Sequence, residues 1–422
     1  MQQNVQANID RVASDIETLA TYNSFPENPG VSRQLFTDAE LEARSYVKER
    51  MRAIGMSVHE DAIGNIYGVL EGTAPSLAPV WSGSHIDTVL SGGKYDGIVG
   101  VVGALEACRI IRENNIPHAR SIVVLVFTSE ECGRFGMGCI GSRAMAGHLP
   151  LEKTKELHDD AGISLYQELE RLGYTKLDYN KTVLKHRGDV FASVELHIEQ
   201  ASMLEEAGYP VGIVQAICAP TYICVSITGQ QKHAGSTPMD VRKDALCAAS
   251  EVILTVEKLA RSYQNKHTVA TVGKIQVLPN SSNVIPGQVD FMIDIRDIDE
   301  AVKTELTQKF HDAIRSITAA RHLEYTFDVT TDDLPCSCDE AILDAIADSC
   351  RKRGLPEFKM TSGAYHDSLL ISEFTPIGMI FVPSKDGVSH NPDEYTSMEE
   401  IVCGVNVLTD TLIALSNRET LS

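Results

Sequence analysis

The hydrophobic pattern in the first half of the chain alternates between short apolar runs and amphipathic stretches. Apolar runs typical of buried strands cover residues 79–83, 121–127 and 190–196, and a helical spacing of apolar residues covers about 98–112. Strands that alternate with helices in this way are typical of a sheet whose faces are covered by helices. The pattern therefore predicts an α/β fold for this part of the chain.

From about residue 208 the order of the predicted elements changes. A strand and a helix are followed by two strands, a helix and a strand, over residues 223–228, 240–261, 268–277, 289–296, 301–320 and 324–329. Two similar halves of this kind predict a smaller α+β layer. The last part of the chain returns to helix, strand and helix at 339–353, 378–382 and 398–416. We expect this last part to rejoin the first domain.

The length of the chain and the positions of its candidate ligands predict how these segments form domains. With 422 residues, the chain is long enough for two domains. The candidate metal ligands described below lie both before and after the middle section, which an inserted domain explains most simply. We therefore expect a discontinuous catalytic domain made of residues 1–207 and 328–422, with a smaller domain inserted at 208–327.

Composition excludes some classes of function. The formal net charge of −21 argues against nucleic-acid or anionic-membrane partners, because phosphate groups would be repelled. No stretch approaches the length needed to span a bilayer, and the first residues lack the features of a signal peptide. The ten cysteines form no CxxC pairs and have no regular spacing, as is usual for thiols in a reducing compartment. We expect a cytoplasmic protein without disulfides.

Histidines and carboxylates follow the predicted strands, at the sheet edge where α/β proteins bind their ligands. One such residue alone is usually a helix cap or a hydrogen-bonded core residue, so the argument depends on the combination. Imidazole and carboxylate without thiolate are typical ligands of zinc, manganese, cobalt or nickel in hydrolytic sites. The pattern predicts two divalent ions bridged by an aspartate, with the ligands His85, Asp96, Glu131, His197 and His390.

Two further carboxylates near these ligands have predicted roles. Glu130 is adjacent to Glu131, so the two side chains cannot occupy the same position around an ion, and we expect Glu130 to be the general base. The alternative is that the two glutamates form a solvated pair beside Arg134. This alternative is less favoured, because an apolar strand leads directly into the pair. Asp87 can orient His85 by accepting its second ring N–H, with a turn or helix cap as the alternative.

Longer motifs that span nearly the whole chain resemble those of one known family. They are Gly83-Ser84-His85-Ile86-Asp87-Thr88, Gly92-Gly93-Lys94-Tyr95-Asp96-Gly97, Glu130-Glu131-Cys132-Gly133-Arg134-Phe135, Glu195-Leu196-His197-Ile198-Glu199-Gln200, His233-Ala234-Gly235-Ser236-Thr237-Pro238-Met239 and Ser389-His390-Asn391-Pro392. In this order they are similar to the M20-type metal-dependent amidases, which include N-carbamoyl-L-amino acid hydrolases, allantoate amidohydrolases, ureidoglycolate amidohydrolases and β-ureidopropionases. The resemblance implies the same metal ligands and the same general base.

The resemblance also implies an inserted domain that dimerises and closes over the site as a lid. Its substrate-binding His, Asn and Arg match His233, Asn283 and Arg296, and further contacts match Gln200 and the loop Ser362-Gly363-Ala364-Tyr365. Arg296 could grip a carboxylate with its fork of N–H groups, and His233 could stabilise a developing oxyanion. Without the resemblance, His233 and Asn283 would be interpreted as turn residues and Arg296 as a surface cation.

The sequence departs from the family pattern at positions that bear on substrate choice. Ala219-Pro220-Thr221-Tyr222 stands where the allantoate enzymes have an arginine-containing stretch. Tyr365 replaces the usual glycine before His-Asp, and Ser129 stands where an acidic residue is common. The ring of Tyr365 could reshape the pocket around the substrate side chain, or it could lie at the rim without contact.

The expected activity is metal-dependent hydrolysis of a ureido C–N bond. An N-carbamoyl-L-amino acid would give the L-amino acid, ammonia and carbon dioxide, with allantoate or ureidoglycolate as the alternative substrate. A dinuclear dipeptidase or aminopeptidase and a non-catalytic binding protein are less favoured, because the motifs and the complete ligand set favour the amidases. Gly97, Gly100 and Gly103 lack the GxGxxG spacing of a dinucleotide-binding loop, so a dehydrogenase is not expected.

Overall fold

The computed structural model describes residues 5–184, 186–265 and 267–421. The chain forms two compact units. The first comprises Met1–Gln215, Cys338–Thr361 and His366–Ser422, and the second comprises Ala216–Ser337 and Ser362–Tyr365. The second unit is therefore an insertion, to which a short later segment of the chain is added.

The helices and strands of the described residues are numbered in chain order. The helices are α1 (Ile9–Thr21), α2 (Asp38–Ile54), α3 (Ile98–Glu113), α4 (Ile140–Met145), α5 (Leu165–Leu172), α6 (Met203–Ala207), α7 (Ala245–Ala260), α8 (Glu300–Ala320), α9 (Glu340–Lys352), α10 (Asp367–Ile371) and α11 (Met398–Ser416). The strands are β1 (Ser57–Glu60), β2 (Ile66–Leu70), β3 (Val80–His85), β4 (Ile122–Phe127), β5 (Ala192–Ile198), β6 (Gly212–Ile217), β7 (Ala219–Thr228), β8 (Lys232–His233), β9 (Val269–Leu278), β10 (Val284–Ile285), β11 (Gln288–Asp297), β12 (Glu324–Asp332), β13 (Cys336–Ser337), β14 (Lys359–Ser362) and β15 (Ile377–Val382).

The first unit is built on a mixed sheet in which the strands follow the order β1-β2-β4-β3-β5-β15-β6. The neighbours β4, β3, β5 and β15 are parallel, whereas β2 and β6 run antiparallel to the strands beside them. Every residue of these four parallel strands is buried, as continuous apolar runs predict for a sheet covered on both faces. The predicted α/β fold is confirmed, and parallel strands bring their carboxyl ends to one edge.

Helix α3 packs closely against the strands that precede two of the candidate ligands. A Cβ atom added at Gly100 would lie 2.5 Å from the carbonyl oxygen of Leu196 and 2.6 Å from Cβ of Ser84. Leu196 precedes His197 and Ser84 precedes His85. The glycine that could have suggested a dinucleotide-binding loop therefore allows a helix to approach the sheet beneath the site.

The second unit contains an antiparallel sheet with the order β12-β7-β11-β9. Along β11 the residues alternate between buried and half-buried, as expected when one face of a sheet packs on helices. Helices α7 and α8 cover that face and share an apolar core that includes Val225, Val252, Ile293 and Phe310. This is the small α+β layer that the strand and helix order predicted.

Some predicted boundaries differ from the observed ones. The helix expected at 240–261 begins only at Ala245, because the Asp244 side chain caps it by accepting the amides of Leu246 and Cys247. The inserted domain was predicted to end at residue 327, whereas β12 of its sheet extends to Asp332. No helix among the described residues is long and apolar enough to cross a membrane.

Replacing Gly100 with alanine should destabilise the protein, although alanine favours helix formation by about 1 kcal/mol. The added methyl group would push α3 away from β3 and β5, and we expect a net loss of about 1–3 kcal/mol in the free energy of unfolding, measured with urea. Ser14→Ala, at an exposed position of α1, is the control and should change stability little. Unchanged or greater stability of Gly100→Ala would show that the close approach of α3 does not constrain the fold.

Candidate metal centre

The carboxyl ends of the parallel strands hold the two buried histidines of the site. His85 is the last residue of β3, and His197 lies near the end of β5. The Nδ1 atom of His85 lies 3.0 Å from the carbonyl oxygen of Asp87, and Nδ1 of His197 lies 2.9 Å from that of Ile198. Because a carbonyl oxygen can only accept, each Nδ1 carries the proton and each Nε2 faces the site as a possible metal ligand.

A first group of ligand atoms is formed by these rings and Asp96, which lies two residues before the start of α3. Oδ1 of Asp96 lies 3.9 Å from Nε2 of His85 and 3.2 Å from Nε2 of His197. This oxygen is buried and has no hydrogen-bond partner among the described residues. Three ligand atoms that lie within 4.8 Å of one another around an unpartnered carboxylate oxygen fit a bound cation.

A second group shares Asp96 through its other oxygen. Oδ2 of Asp96 lies 3.1 Å from Nε2 of His390, and that nitrogen lies 3.2 Å from Oε1 of Glu131. His390 is half exposed, while Asp96 and Glu131 are buried. The two oxygens of Asp96 thus face two different groups of ligand atoms, as the bridging role predicted from the sequence requires.

The electrostatics of both groups favour positive charge. Burial opposes protonation of His85, but the carboxylates of Asp87, Asp96 and Glu131 outweigh it and raise its pKa to about 9. Hydrogen bonds to Asp96 and Glu131 raise the pKa of His390 to about 10. A metal ion would compete with these protons for the same nitrogen atoms, so the site is suited to divalent cations.

Asp87 joins the segment after β3 to the segment after β4. Its carboxylate accepts the backbone amide of Glu130 at 3.2 Å and that of Glu131 at 3.1 Å. The predicted bond from Asp87 to the ring of His85 exists, but the backbone carbonyl makes it, while the carboxylate lies 3.7 Å from Nδ1. Asp87 therefore positions both glutamates as well as His85.

Glu130, the predicted general base, lies beside the first group of ligands. Its Oε2 is 4.0 Å from Nε2 of His85, and its side chain is only 11% exposed. Burial, together with the nearby carboxylates of Glu131 and Asp367, raises the pKa of Glu130 well above its ordinary value. A carboxylate with a raised affinity for protons is suited to accept one during a reaction.

Several residues of the centre were missed or given no role by the sequence interpretation. Glu195 accepts hydrogen bonds from Ser84 at 2.7 Å and Ser368 at 2.5 Å, and it forms a further possible ligand group with His197 and His366. Its place in the Glu195-Leu196-His197 motif could have indicated this position. Glu394 contacts the loop that carries Asp96, and its only sequence signal is its closeness to His390.

Arg33 is a fully buried cation that fixes the segment after β3. Its Nε donates to the carbonyl of Ile86 at 2.6 Å, and its backbone amide donates to the hydroxyl of Thr88 at 2.8 Å. The carbonyl of Arg33 accepts the amide of Thr88 at 3.0 Å. No sequence pattern indicated this contact, because 55 residues separate Arg33 from Thr88.

Gln200, predicted to contact substrate, lies in the first unit beside the metal ligands. Its Nε2 donates to Oδ2 of Asp96 at 3.0 Å, and its backbone has a φ of +60°. The left-handed conformation is uncommon for a residue other than glycine and is frequent at functional sites. The side chain thus reaches the bridging aspartate.

In the second unit, His233 and Asn283 lie together in the small β8–β10 ribbon. Nδ1 of His233 accepts the amides of Gly235 at 3.1 Å and Ser236 at 3.2 Å, so the ring proton lies on Nε2. The carbonyl of Asn283 accepts the amide of Ala234 at 2.9 Å. His233 is exposed and can donate a hydrogen bond from Nε2.

Arg296 and the predicted substrate loop lie together elsewhere in the same unit. The guanidinium of Arg296 contacts the carboxylate of Asp294 at 3.1–3.3 Å, and Nη1 donates to the carbonyl of Gly363 at 3.4 Å. The hydroxyl of Tyr365 donates to Asp333 at 3.0 Å. In the same loop, the hydroxyl of Ser362 contacts the carbonyl of Ala364 at 3.0 Å.

The sheet of the second unit separates His233 from Arg296. The ribbon that carries His233 adjoins the end of β11 at Gln288, which pairs with Thr228, whereas Arg296 pairs with Pro220. Eight residues of extended chain span roughly 26 Å. The ribbon with His233 and the side chain of Arg296 therefore belong to opposite ends of β11.

Three relatives are similar to nearly the whole chain. Ureidoglycolate hydrolase from Arabidopsis thaliana is 39% identical over 96% of this chain and 86% of that protein. N-carbamoyl-L-amino-acid amidohydrolase from Pseudomonas sp. (strain NS671) is 37% identical over 96% of this chain and 97% of that protein. Allantoate amidohydrolase from Bacillus subtilis (strain 168) is 37% identical over 95% and 96%.

The fold agrees with these similarities. The crystal structure of AtUAH in complex with glyoxylate superposes with a TM-score of 0.90 at 37% identity, covering 98% of this chain and 99% of that one. Residues 81–414 match Peptidase family M20/M25/M40, a range that includes all five predicted metal ligands. The resemblance inferred from the motifs is therefore confirmed, and the chain belongs to Peptidase family M20/M25/M40.

Proposed function

We propose that the protein is a metal-dependent amidohydrolase that cleaves the C–N bond of a ureido group on a small carboxylate. The favoured substrate is an N-carbamoyl-L-amino acid, which would give the L-amino acid, ammonia and carbon dioxide. The observation that carries the proposal is Asp96, whose two oxygens face two separate groups of ligand atoms beside the largely buried Glu130. The relatives named above are hydrolases of ureido compounds.

The proposed cofactor is a pair of divalent ions. His85, Asp96 and His197 would hold one ion, and Asp96, Glu131 and His390 the other. The nitrogen and oxygen ligands accept zinc, manganese, cobalt or nickel. Such ions supply a Lewis acid that polarises the ureido carbonyl and acidifies water at neutral pH.

Glu130 is the proposed carrier of the proton. Its carboxylate would accept a proton from the attacking water and return it to the nitrogen that leaves as ammonia. Asp87 supports this role because it accepts hydrogen bonds from the backbone amides of Glu130 and Glu131, which would hold the first glutamate near the ions and the second in position to bind one of them.

Arg296 and His233 are the proposed substrate contacts of the second unit. Asp294 and the carbonyl of Gly363 hold the guanidinium of Arg296 in place, where it can pair with the substrate carboxylate. The Nε2–H of His233 can donate to the oxyanion that forms when the carbonyl is attacked. Gln200 and Asn283 supply further polar contacts, and Tyr365 borders the substrate side chain.

A homodimer follows from the distance between these contacts. Because the ribbon with His233 follows one end of β11 and Arg296 lies near the other end, about 26 Å away along the strand, we infer that a single small substrate takes the two residues from different copies of the second unit. The second unit would therefore dimerise and supply its His233 and Asn283 to the site of the partner. The cytoplasm remains the proposed location.

The proposal is tested by measuring ammonia release from N-carbamoyl-L-amino acids, allantoate and ureidoglycolate after reconstitution with manganese or zinc. Chelated enzyme is the control, and dipeptides, followed with ninhydrin, cover the peptidase alternative. We expect release from one class of ureido compound, lost with chelator and restored by metal. Activity only on dipeptides, or none on any compound, would contradict the proposal.

Glu130→Gln should retain its metal ions but lose activity by roughly a hundredfold to ten-thousandfold, because the amide cannot accept the proton. Metal analysis and kcat measurements check the two parts separately. The adjacent Glu131→Gln is the matched comparison and should lose metal as well as activity. A kcat close to that of the wild type in Glu130→Gln would show that Glu130 is not the general base.

Arg296→Lys should weaken kcat/KM for substrates with an α-carboxylate more than for neutral ureas, because an ammonium group cannot reproduce the planar fork of a guanidinium. Steady-state kinetics on matched pairs of substrates measure the difference. Arg261→Lys, at an exposed helix end of the same unit, is the control and should leave kcat/KM unchanged for both kinds of substrate. Equal losses on charged and neutral substrates would assign Arg296 a structural role instead.

Mixing two inactive variants tests whether residues are exchanged between subunits. If each site uses Arg296 of one subunit and His233 of the other, a mixture of His233→Ala and Arg296→Ala should recover about a quarter of wild-type activity after subunit exchange. In a mixed dimer, one site then contains both native residues. Recovery of no activity, with mixed dimers demonstrated by mass spectrometry, would place both residues on one subunit.

A further inference from the structure

Glu394 lies between two segments that carry candidate metal ligands and is buried, with 4% exposure. Its Oε1 accepts the backbone amides of Tyr95 at 2.9 Å and Asp96 at 3.1 Å. Its Oε2 accepts the hydroxyl of Ser389 at 2.8 Å. One carboxylate thus joins the residue before His390 to the backbone of the bridging aspartate.

The chain around Glu394 is shaped to admit this carboxylate. The amide of Glu394 donates to the carbonyl of Asn391 at 3.0 Å, in a turn that brings the side chain back toward the Asp96 loop. A Cβ atom at Gly93 would lie 1.9 Å from Oε1 of Glu394, so only glycine leaves space for the contact. The rings of Tyr95 and Tyr395 meet edge to face beside it, with centroids 6.0 Å apart.

The position of this link matters because Asp96 and His390 must face the same ion. Oδ2 of Asp96 lies 3.1 Å from Nε2 of His390, although the two residues are 294 positions apart in the sequence. A shift of either segment would change the separation of these two ligand atoms directly. The side chain of Glu394 contacts both segments through the amides of Tyr95 and Asp96 and the hydroxyl of Ser389. In the described structure it makes no hydrogen bond to the ligand atoms themselves.

We propose that Glu394 is a positioning residue of the metal centre. By tying the amides of Tyr95 and Asp96 to the hydroxyl of Ser389, it sets the separation of Asp96 from His390 and so raises the affinity for the ion they share. Residues that orient metal ligands typically contribute ten- to hundredfold in metal affinity. The inference rests on the metal ions of the proposed function and is independent of the identity of the substrate.

Glutamine at this position separates hydrogen bonding from charge. In Glu394→Gln the amide oxygen can accept both backbone N–H groups, while the amide nitrogen can donate to the oxygen of Ser389. Glu394→Ala removes all three hydrogen bonds. Ser389→Ala removes only the bond to the segment that carries His390, and it leaves the negative charge of Glu394 in place.

The test is a titration of the metal-free full-length protein with manganese, by equilibrium dialysis and metal analysis. We expect Glu394→Ala to bind at least one ion roughly ten- to hundredfold more weakly than wild type, Ser389→Ala to show a smaller loss, and Glu394→Gln to stay within about threefold. Asp61→Ala is the matched control, because Asp61 also accepts two backbone amides on one oxygen, those of Ile63 and Asn65. It should lower thermal stability without weakening manganese binding.

Wild-type manganese affinity in Glu394→Ala would overturn the proposal, and so would a loss in Glu394→Gln as large as that in Glu394→Ala, since charge would then be the cause. If Glu394→Ala does not fold, Ser389→Ala decides, and unchanged affinity in that variant would overturn the proposal. Because the titration uses no substrate, its result is separate from the outcome of the ammonia-release assay.

Discussion

Mutual repulsion among buried carboxylates is the constraint on which the rest of this site depends. Asp87, Asp96, Glu130 and Glu131 lie close together at the edge of the sheet, and burial with neighbouring carboxylates raises the pKa of Glu130 well above its ordinary value. The carboxylates of Asp87, Asp96 and Glu131 outweigh burial and raise the pKa of His85 to about 9. Positive charge at this edge would therefore relieve the repulsion, and divalent ions would supply it while stabilising the folded state by mass action.

The fold meets this constraint by holding the ligands with backbone groups and with contacts from distant segments. Carbonyl groups fix the Nδ1 atoms of His85 and His197, so that both Nε2 atoms point toward Asp96. The close packing of α3 at Gly100 fixes this helix against β3 and β5, the strands that carry the two histidines. Asp96 lies just before the same helix. The candidate ligands His85 and His197 are therefore held in place by the fold itself, which is the preorganisation that a metal centre needs.

The sequence predicted the architecture well, and it marked the candidate ligands that the structure brings together at the sheet edge, because both depend on local patterns. Continuous apolar runs indicated buried parallel strands, and the residues after them included His85 and Glu131. The contacts of Arg33 and Glu394 could not be predicted, because they join residues far apart in the chain, and closeness to His390 does not show what Glu394 contacts. The role of the Asp87 carbonyl was equally hidden, since a sequence shows side chains and not which backbone group lies nearest a ring.

The proposed role of Asp96 is to bridge two divalent ions. Anomalous X-ray diffraction at the manganese edge, from crystals of the protein grown with manganese, locates each bound ion. We expect two peaks about 3.5–4 Å apart on either side of the Asp96 carboxylate, one near His85 and His197 and the other near Glu131 and His390. A single peak, or manganese bound away from Asp96, would contradict it.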